Sequence, residues 1–129
     1  MASIFTKIIS GEIPSYKVAE NDDFLAFLDI SPLRKGHVLV IPKKETDYIF
    51  DMKDTELADF MIFAKMVSNK IKNTFPCKKV GMTVIGLEVP HAHIHLIPIN
   101  GIADMNFAQE KMNLSAQELT EIAAALANA

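Results

Sequence analysis

The sequence predicts an α+β fold. About five strands form one antiparallel sheet, with a short N-terminal helix, one long helix and a C-terminal helix. Three observations carry this. Apolar positions recur with a helical period over 54–73 and again over 116–127. Short apolar or β-branched runs, bounded by glycine, proline and asparagine, fill the stretches between. The elements also run in the order helix, three strands, long helix, two strands, helix, so strands follow strands instead of alternating with helices. With 129 residues, half of them hydrophobic, the chain is expected to form a single domain over 1–129 with a core of its own.

Ile4, Phe5, Ile8 and Ile9 recur at helical spacing and Gly11 stops them. Ile13-Pro14 is a loop. Tyr16–Glu20 is a short strand and Asn21-Asp22 a turn. Asp23–Ile30, with Phe24-Leu25-Ala26-Phe27-Leu28 inside it, is a strand covered on both faces. Ser31-Pro32 closes it. After Gly36, His37–Ile41 is β-branched and apolar, and Pro42 ends it. The long helix runs from Asp54 to about Asn73, with Leu57, Phe60, Met61, Ala64, Val67 and Ile71 as its buried stripe and Pro76 beyond its end. Val80–Gly86 and His91–Ile97 pair across Leu87-Glu88-Val89-Pro90, a segment short enough for a tight hairpin. Ser115-Ala116-Gln117-Glu118 is a capping box, with Leu114 and Leu119 as its hydrophobic staple, and opens the last helix, Ala116 to about Ala127.

Composition excludes several classes of function. The net charge of −3 is a poor field for a nucleic-acid backbone, although one pocket can still bind one small anion. The greasiest helical stretch, Leu57–Val67, is interrupted by Asp59 and Lys65, so no membrane span is expected. Met1-Ala2-Ser3-Ile4-Phe5-Thr6-Lys7 lacks the order of a signal peptide. The single cysteine, Cys77, has no internal partner. A soluble protein of the reducing cytoplasm is the expectation.

The chemistry concentrates in the histidines. Three of the four are His91, His93 and His95. On an extended chain alternate side chains share a face, so three imidazoles line one wall while Ala92, Ile94 and Leu96 supply core. A lone strand histidine is ordinarily a satisfied core or surface residue. Three on one face are costly to bury unless each has a partner. Two chemistries suit such a wall. One is a metal site, because imidazoles at i and i+2 are favourable zinc ligands, although no Asp or Glu lies in the segment from His91 to Asn100. The other is covalent catalysis, with one imidazole attacking an electrophile while its neighbours orient it and stabilise charge.

The segment His91-Ala92-His93-Ile94-His95-Leu96-Ile97 fits, at every position, the pattern His-φ-His-φ-His-φ-φ, where φ is apolar. On it the chain resembles the histidine triad (HIT) family, close to its Hint-like branch. Three further blocks extend the resemblance: Ile4-Phe5-Thr6-Lys7-Ile8-Ile9-Ser10-Gly11-Glu12-Ile13-Pro14, Leu25-Ala26-Phe27-Leu28-Asp29-Ile30-Ser31-Pro32 and Gly36-His37-Val38-Leu39-Val40-Ile41-Pro42-Lys43. It covers about residues 4–98. Residues 101–129 carry no family motif.

The resemblance implies a HIT-like fold and a nucleotide ligand. It implies attack by His93 on the α-phosphate, giving a nucleotidyl-His93 intermediate that water hydrolyses. His95 would donate to the phosphate oxygens, and His91 would support the orientation and tautomer of His93. His37 matches a fourth histidine packed beside the triad; alone it would read as a strand-end residue. Asp29 matches the carboxylate that accepts from the ribose hydroxyls, and before Ser31-Pro32 it also suits a turn. Phe5, Ile8, Phe27, Ile30 and Leu39 match positions that sandwich the base, a purine such as that of AMP or its conjugates; each equally suits the core. The resemblance calls for no cofactor.

Two departures from the pattern stand out. Family members commonly carry Gln-Ser or Gln-Thr just before the first triad histidine, and here Leu87-Glu88 takes that place. Leu87 cannot donate. An ionised Glu88 repels phosphate if turned inward; turned to solvent it is neutral to the chemistry, and protonated it is an acid. Some relatives also place cysteines of a structural zinc site where this chain has Ser3 and Thr6, so no such zinc is expected. Ile62, Phe63 and Met66 lie outside the main stripe of the long helix. They suit a thicker core or a partner subunit, and the resemblance implies a two-fold homodimer whose sheets join. In the tail, Met105, Phe107 and Met112 are placed to cover the chain's own pocket or its partner's. The competing functions are a nucleotide phosphoramidase or nucleotidyl hydrolase, a nucleotide-binding regulatory protein with weak catalysis, and a metal-dependent hydrolase.

Overall fold

A computed structural model describes residues 2–129; Met1, the first residue of the stretch tested for a signal peptide, lies outside the described residues. The elements are α1 (Ile4–Ile9), β1 (Lys17–Glu20), β2 (Phe24–Leu28), β3 (Val38–Pro42), α2 (Asp54–Thr74), β4 (Lys79–Thr83), β5 (Ile94–Ile99) and α3 (Ala116–Ala127). Short 3-10 turns at Ile49–Asp51 and Ile102–Met105 join them. The strands form one antiparallel sheet in the order β1-β2-β3-β5-β4. After β3 the chain crosses over as α2, forms the edge strand β4 and returns as β5 between β3 and β4.

The pleat sorts the strand residues into two layers. On one face Ala26, Val38, Val40, Ile94 and Leu96 pack with Phe60, Phe63, Ala64, Val67 and Ile71 of α2 and with Leu119, Ala123 and Leu126 of α3. On the other face Leu25, Phe27, Leu39 and Ile41 pack with Phe5 and Ile8 of α1. That second layer explains why β2 and β3 are buried along their whole length, as the uniformly apolar β2 run predicted. Among the described residues, no helix is long and apolar enough to cross a membrane.

Two expectations are corrected. The β4–β5 connection is not a tight hairpin. Pairing stops at Thr83↔His95, and residues 84–93 form a long loop that includes Gly86 in the left-handed region at φ +70°. The buried stripe of α2 contains Phe63, its ring tilted against that of Phe24 at 5.6 Å, while Met61 is 38% exposed. In the tail, α3 supplies three side chains, Leu119, Ala123 and Leu126, to the main core. The predicted capping box of α3 is present: the Ser115 hydroxyl accepts from Glu118 N–H at 3.1 Å, and Glu118 accepts from Ser115 N–H at 3.2 Å.

Candidate active site

The histidine face is built by register. Phe27 pairs with Leu39 and Leu39 with His95, so these residues form a row across β2, β3 and β5. His37, two residues before Leu39, projects from the same face. Asp29 lies beside it because Asp29 N–H donates to the His37 carbonyl at 3.1 Å. His91 and His93 precede β5 and lie outside its ladder, yet they keep the alternation and line up with His95. Ala92, Ile94 and Leu96 fill the opposite core, as the pattern predicted.

Main-chain partners fix the tautomers. Leu33 N–H donates to His37 Nδ1 at 3.1 Å, so the His37 proton sits on Nε2. Nε2 is 3.0 Å from His95 Nδ1, which must accept, so His95 carries its own proton on Nε2. His93 Nδ1 is 2.8 Å from the His91 carbonyl oxygen, which can only accept, leaving the lone pair of His93 on Nε2. His91 Nε2 donates to the Pro42 carbonyl at 2.8 Å, and the Ser3 hydroxyl donates to His91 Nδ1 at 2.8 Å. The rings of His93 and His95 lie 4.9 Å apart at 62°. His37 and His91 are 1% and 0% exposed, whereas His93 and His95 retain 7% and 8%. The accessible nitrogens are therefore a lone pair on His93 and an N–H on His95.

Burial, reinforced by the neighbouring His95, lowers His37 to about 3. Burial, reinforced by His93, lowers His95 to about 4. Burial also lowers His91, against its bond to Pro42 and the nearby Glu45. These three rings are neutral at pH 7, as their hydrogen bonds require. Asp29 Oδ1 accepts from Ser31 N–H at 2.9 Å, the turn role its sequence context suggested, and Oδ2 lies 3.6 Å from His37 Nε2. Burial raises the Asp29 carboxyl.

Asp29, His37 and His95 present possible ligand atoms within 4.8 Å of one another. They fit a cation poorly. The proton on His37 Nε2 occupies the atom facing both partners, and a metal there would have to displace it.

The residues expected around the base divide. Phe5, Ile8, Phe27 and Leu39 pack into one cluster, with Phe5 edge-on to Phe27 at 5.6 Å and to His93 at 5.0 Å. Ile30, beyond the end of β2, is 66% exposed and stands outside that cluster. Leu87 is 89% exposed, and Glu88 is exposed as well, its charge opposing that of Asp29. From the tail, Phe107 lies edge-on to His95 at 4.9 Å and near His37 at 6.2 Å, on its own chain's site. Met105 instead packs beside Gly81, and Met112 N–H donates to the Pro32 carbonyl at 2.8 Å. Sequence reasoning did not find Glu45 as part of the site. It accepts from Ser3 N–H at 2.6 Å and from the Thr6 hydroxyl at 2.8 Å, behind His91. No spacing or motif connects residue 45 with residue 91.

A family model for the HIT domain matches residues 10–101. An uncharacterized HIT-like protein of Borreliella burgdorferi is 38% identical, covering 92% of this chain and 91% of its own. A Saccharomyces cerevisiae protein named adenosine 5'-monophosphoramidase HNT1 is 42% identical over 75% of this chain and 62% of its own. Among solved structures, a Hit-like protein of Bartonella henselae superposes with a TM-score of 0.84 at 29% identity, over 98% of this chain and 94% of that one. A HIT-family protein of Bacillus subtilis does so with a TM-score of 0.76 at 32% identity, over 99% and 96%. The histidine-bearing sheet is thus shared with relatives of nearly the same length, and this chain belongs to the HIT family.

Proposed function

We propose that the protein is a nucleotidyl hydrolase or transferase that attacks the α-phosphate of a purine nucleoside phosphoramidate, or a related AMP conjugate, through a nucleotidyl-histidine intermediate. The observation that carries this reading is the pairing of an accessible lone pair on His93 Nε2 with an adjacent N–H on His95 Nε2. His93 Nε2 forms the bond to phosphorus as the bond to the departing amine breaks, and the amine takes up a proton from solvent. The positive charge left on His93 is held at Nδ1–H by the His91 carbonyl. His95 Nε2–H donates to a non-bridging oxygen as negative charge gathers there. Water then attacks phosphorus, the P–N bond to His93 breaks, and the nucleoside monophosphate leaves. Asp29 would accept from the ribose hydroxyls. The Phe5, Ile8, Phe27 and Leu39 cluster, with Ile30 at its margin, would hold the base.

Hydrolysis of a fluorogenic adenosine phosphoramidate by the wild type and by His93→Ala, each with and without chelator, tests the assignment. Turnover lost in His93→Ala and indifferent to chelator is the expected result. A metal-requiring rate, or an active His93→Ala, would refute it. A second reading, a nucleotide-binding regulatory protein with weak catalysis, draws on the exposed Leu87 and Glu88, which bring no donor to the leaving group. It predicts AMP binding without turnover.

We also infer a two-fold homodimer. A cavity of about 860 Å³ lies away from the histidines, beside the edge strand β4, lined by Tyr48, Phe50, Met61, Met82, Ile85 and Leu87 among others. Ile62, 66% exposed on α2, is a further apolar side chain suited to burial by a second copy. Sedimentation of the wild type against Met82→Asp tests this, and a wild-type monomer would refute it. The lone thiol of Cys77 suits a cytoplasmic protein.

A further inference from the structure

We propose that Glu45, acting through Ser3 and Thr6, is a positioning residue that clamps the segment carrying His91 and His93. The inference builds on the proposed nucleophilic role of His93 and adds what holds that nucleophile in place. His91 and His93 lie before β5, so no sheet ladder fixes them. The last residue of β3 and the loop after it take over that task at three points. The Pro42 carbonyl accepts from His91 Nε2 at 2.8 Å. The Thr46 carbonyl accepts from Ala92 N–H at 2.6 Å. Between them, one oxygen of Glu45 accepts from both Ser3 N–H and the Thr6 hydroxyl, at 2.6 and 2.8 Å.

Ser3 transmits the grip. It is the N-cap of α1, its hydroxyl accepting from Thr6 N–H at 3.1 Å, and the same hydroxyl donates to His91 Nδ1 at 2.8 Å. A cap needs only its own helix. This one is buried to 6% exposure against a histidine 88 residues away. The Glu45 carboxyl is held down to about 2, first by Ser3 N–H and then by the Thr6 hydroxyl, so its charge is constant at neutral pH. With both ring nitrogens engaged and no exposure, His91 has no nitrogen left for substrate. Its contribution is its carbonyl, which fixes the Nδ1–H tautomer of His93. Loss of the clamp lets that carbonyl swing and the His93 tautomer mix.

The test uses the full chain with ¹⁵N-labelled histidine. Ring nitrogen spectra report the tautomers of His91 and His93 without reference to any substrate. Turnover of adenosine phosphoramidate reports kcat and KM. Glu45→Ala and Ser3→Ala are expected to mix the His93 tautomers and lower kcat about tenfold to a hundredfold, the worth of one hydrogen bond to a charged group. KM should stay within about twofold, because these residues bond to one another and to the buried His91 and not to the two accessible imidazole nitrogens. Ser3→Thr, which keeps a capping hydroxyl, should restore both readouts. Thr6→Val and Glu45→Gln, nearly isosteric, serve where a truncated variant fails to fold, and each should give a smaller shift in the same direction. Unchanged tautomers across these variants, or a kcat loss that only follows the folded fraction, would overturn the proposal. Should the wild type lack phosphoramidase activity, the nucleotidyl reading fails while the spectra still decide the clamp.

Discussion

Moving the protein from pH 7 to pH 5 is expected to remove about 4 kcal/mol of folding stability, chiefly through two imidazoles. His37 is lowered from 6.5 to about 3, and His95 from 6.5 to about 4, mainly because both are buried. Below pH 6.5 the unfolded chain binds protons at these sites and the folded chain does not, so stability falls as pH falls. The loss is complete only below the folded values. At pH 5 an unfolded histidine gains about 2 kcal/mol from protonation, and its folded counterpart gains on the order of 0.1 kcal/mol. His91, also lowered by burial, adds to the loss. Asp29, raised by burial, opposes it by taking its proton earlier in the folded state. The depressed carboxylates, Glu20, Glu45, Asp104 and Glu118, begin to cost stability only in the ordinary carboxylate range. Urea unfolding followed by circular dichroism at pH 7, 6 and 5, at constant ionic strength, measures the slope. His37→Gln has no titrating ring there and should retain about half of it. A flat profile between pH 7 and 5, or a wild-type slope in the His37→Gln, His95→Gln double variant, would refute the reasoning.

Phe107→Ala removes a ring lying 4.9 Å from His95, so water reaches the imidazole and its pKa should rise toward 6.5; a proton NMR titration of His95 reads the change. Phe63→Ala should cost about 3–5 kcal/mol in urea unfolding, because the ring is 6% exposed and packed on Phe24. Gly36→Ala should destabilise by about 2 kcal/mol or more and distort the turn before His37, since Gly36 has φ +93° and an added Cβ would lie 2.7 Å from the Phe75 ring. Thermal melts and the adenosine phosphoramidate rate together separate those two effects.

What was legible in the sequence was what depends on local period. The alternation at 91–95 correctly separated imidazoles from core, because extended backbone keeps that alternation even outside a ladder. The capping box of α3 was legible for a similar reason, since both of its hydrogen bonds close within four residues. The α2 stripe was misplaced by its angles. At about 100° per residue Phe63 lies about 60° from Phe60 and Met61 about 100°, so Phe63 is the nearer to the buried face. Sheet order, with β5 inserted between β3 and β4, left no local mark. Neither did the approach of Glu45 to Ser3, and Phe107, expected as a pocket-covering residue, could not be assigned to its own chain's site, because both depend on chain reversals that no short window contains.

The three triad histidines are chemically identical residues, and the motif alone assigns them no separate tasks. Their differences come from main-chain groups that do not titrate. A carbonyl at His93 Nδ1 places the proton there and leaves a nucleophile at Nε2. Leu33 N–H at His37 Nδ1 reverses the order and passes it on, so that His95 presents a donor at Nε2. A second carbonyl, from Pro42, turns His91 away from the site altogether. The backbone thus converts a repeated side chain into an attacking atom, a donor and a support. The main-chain groups that dictate this assignment cannot themselves gain or lose a proton.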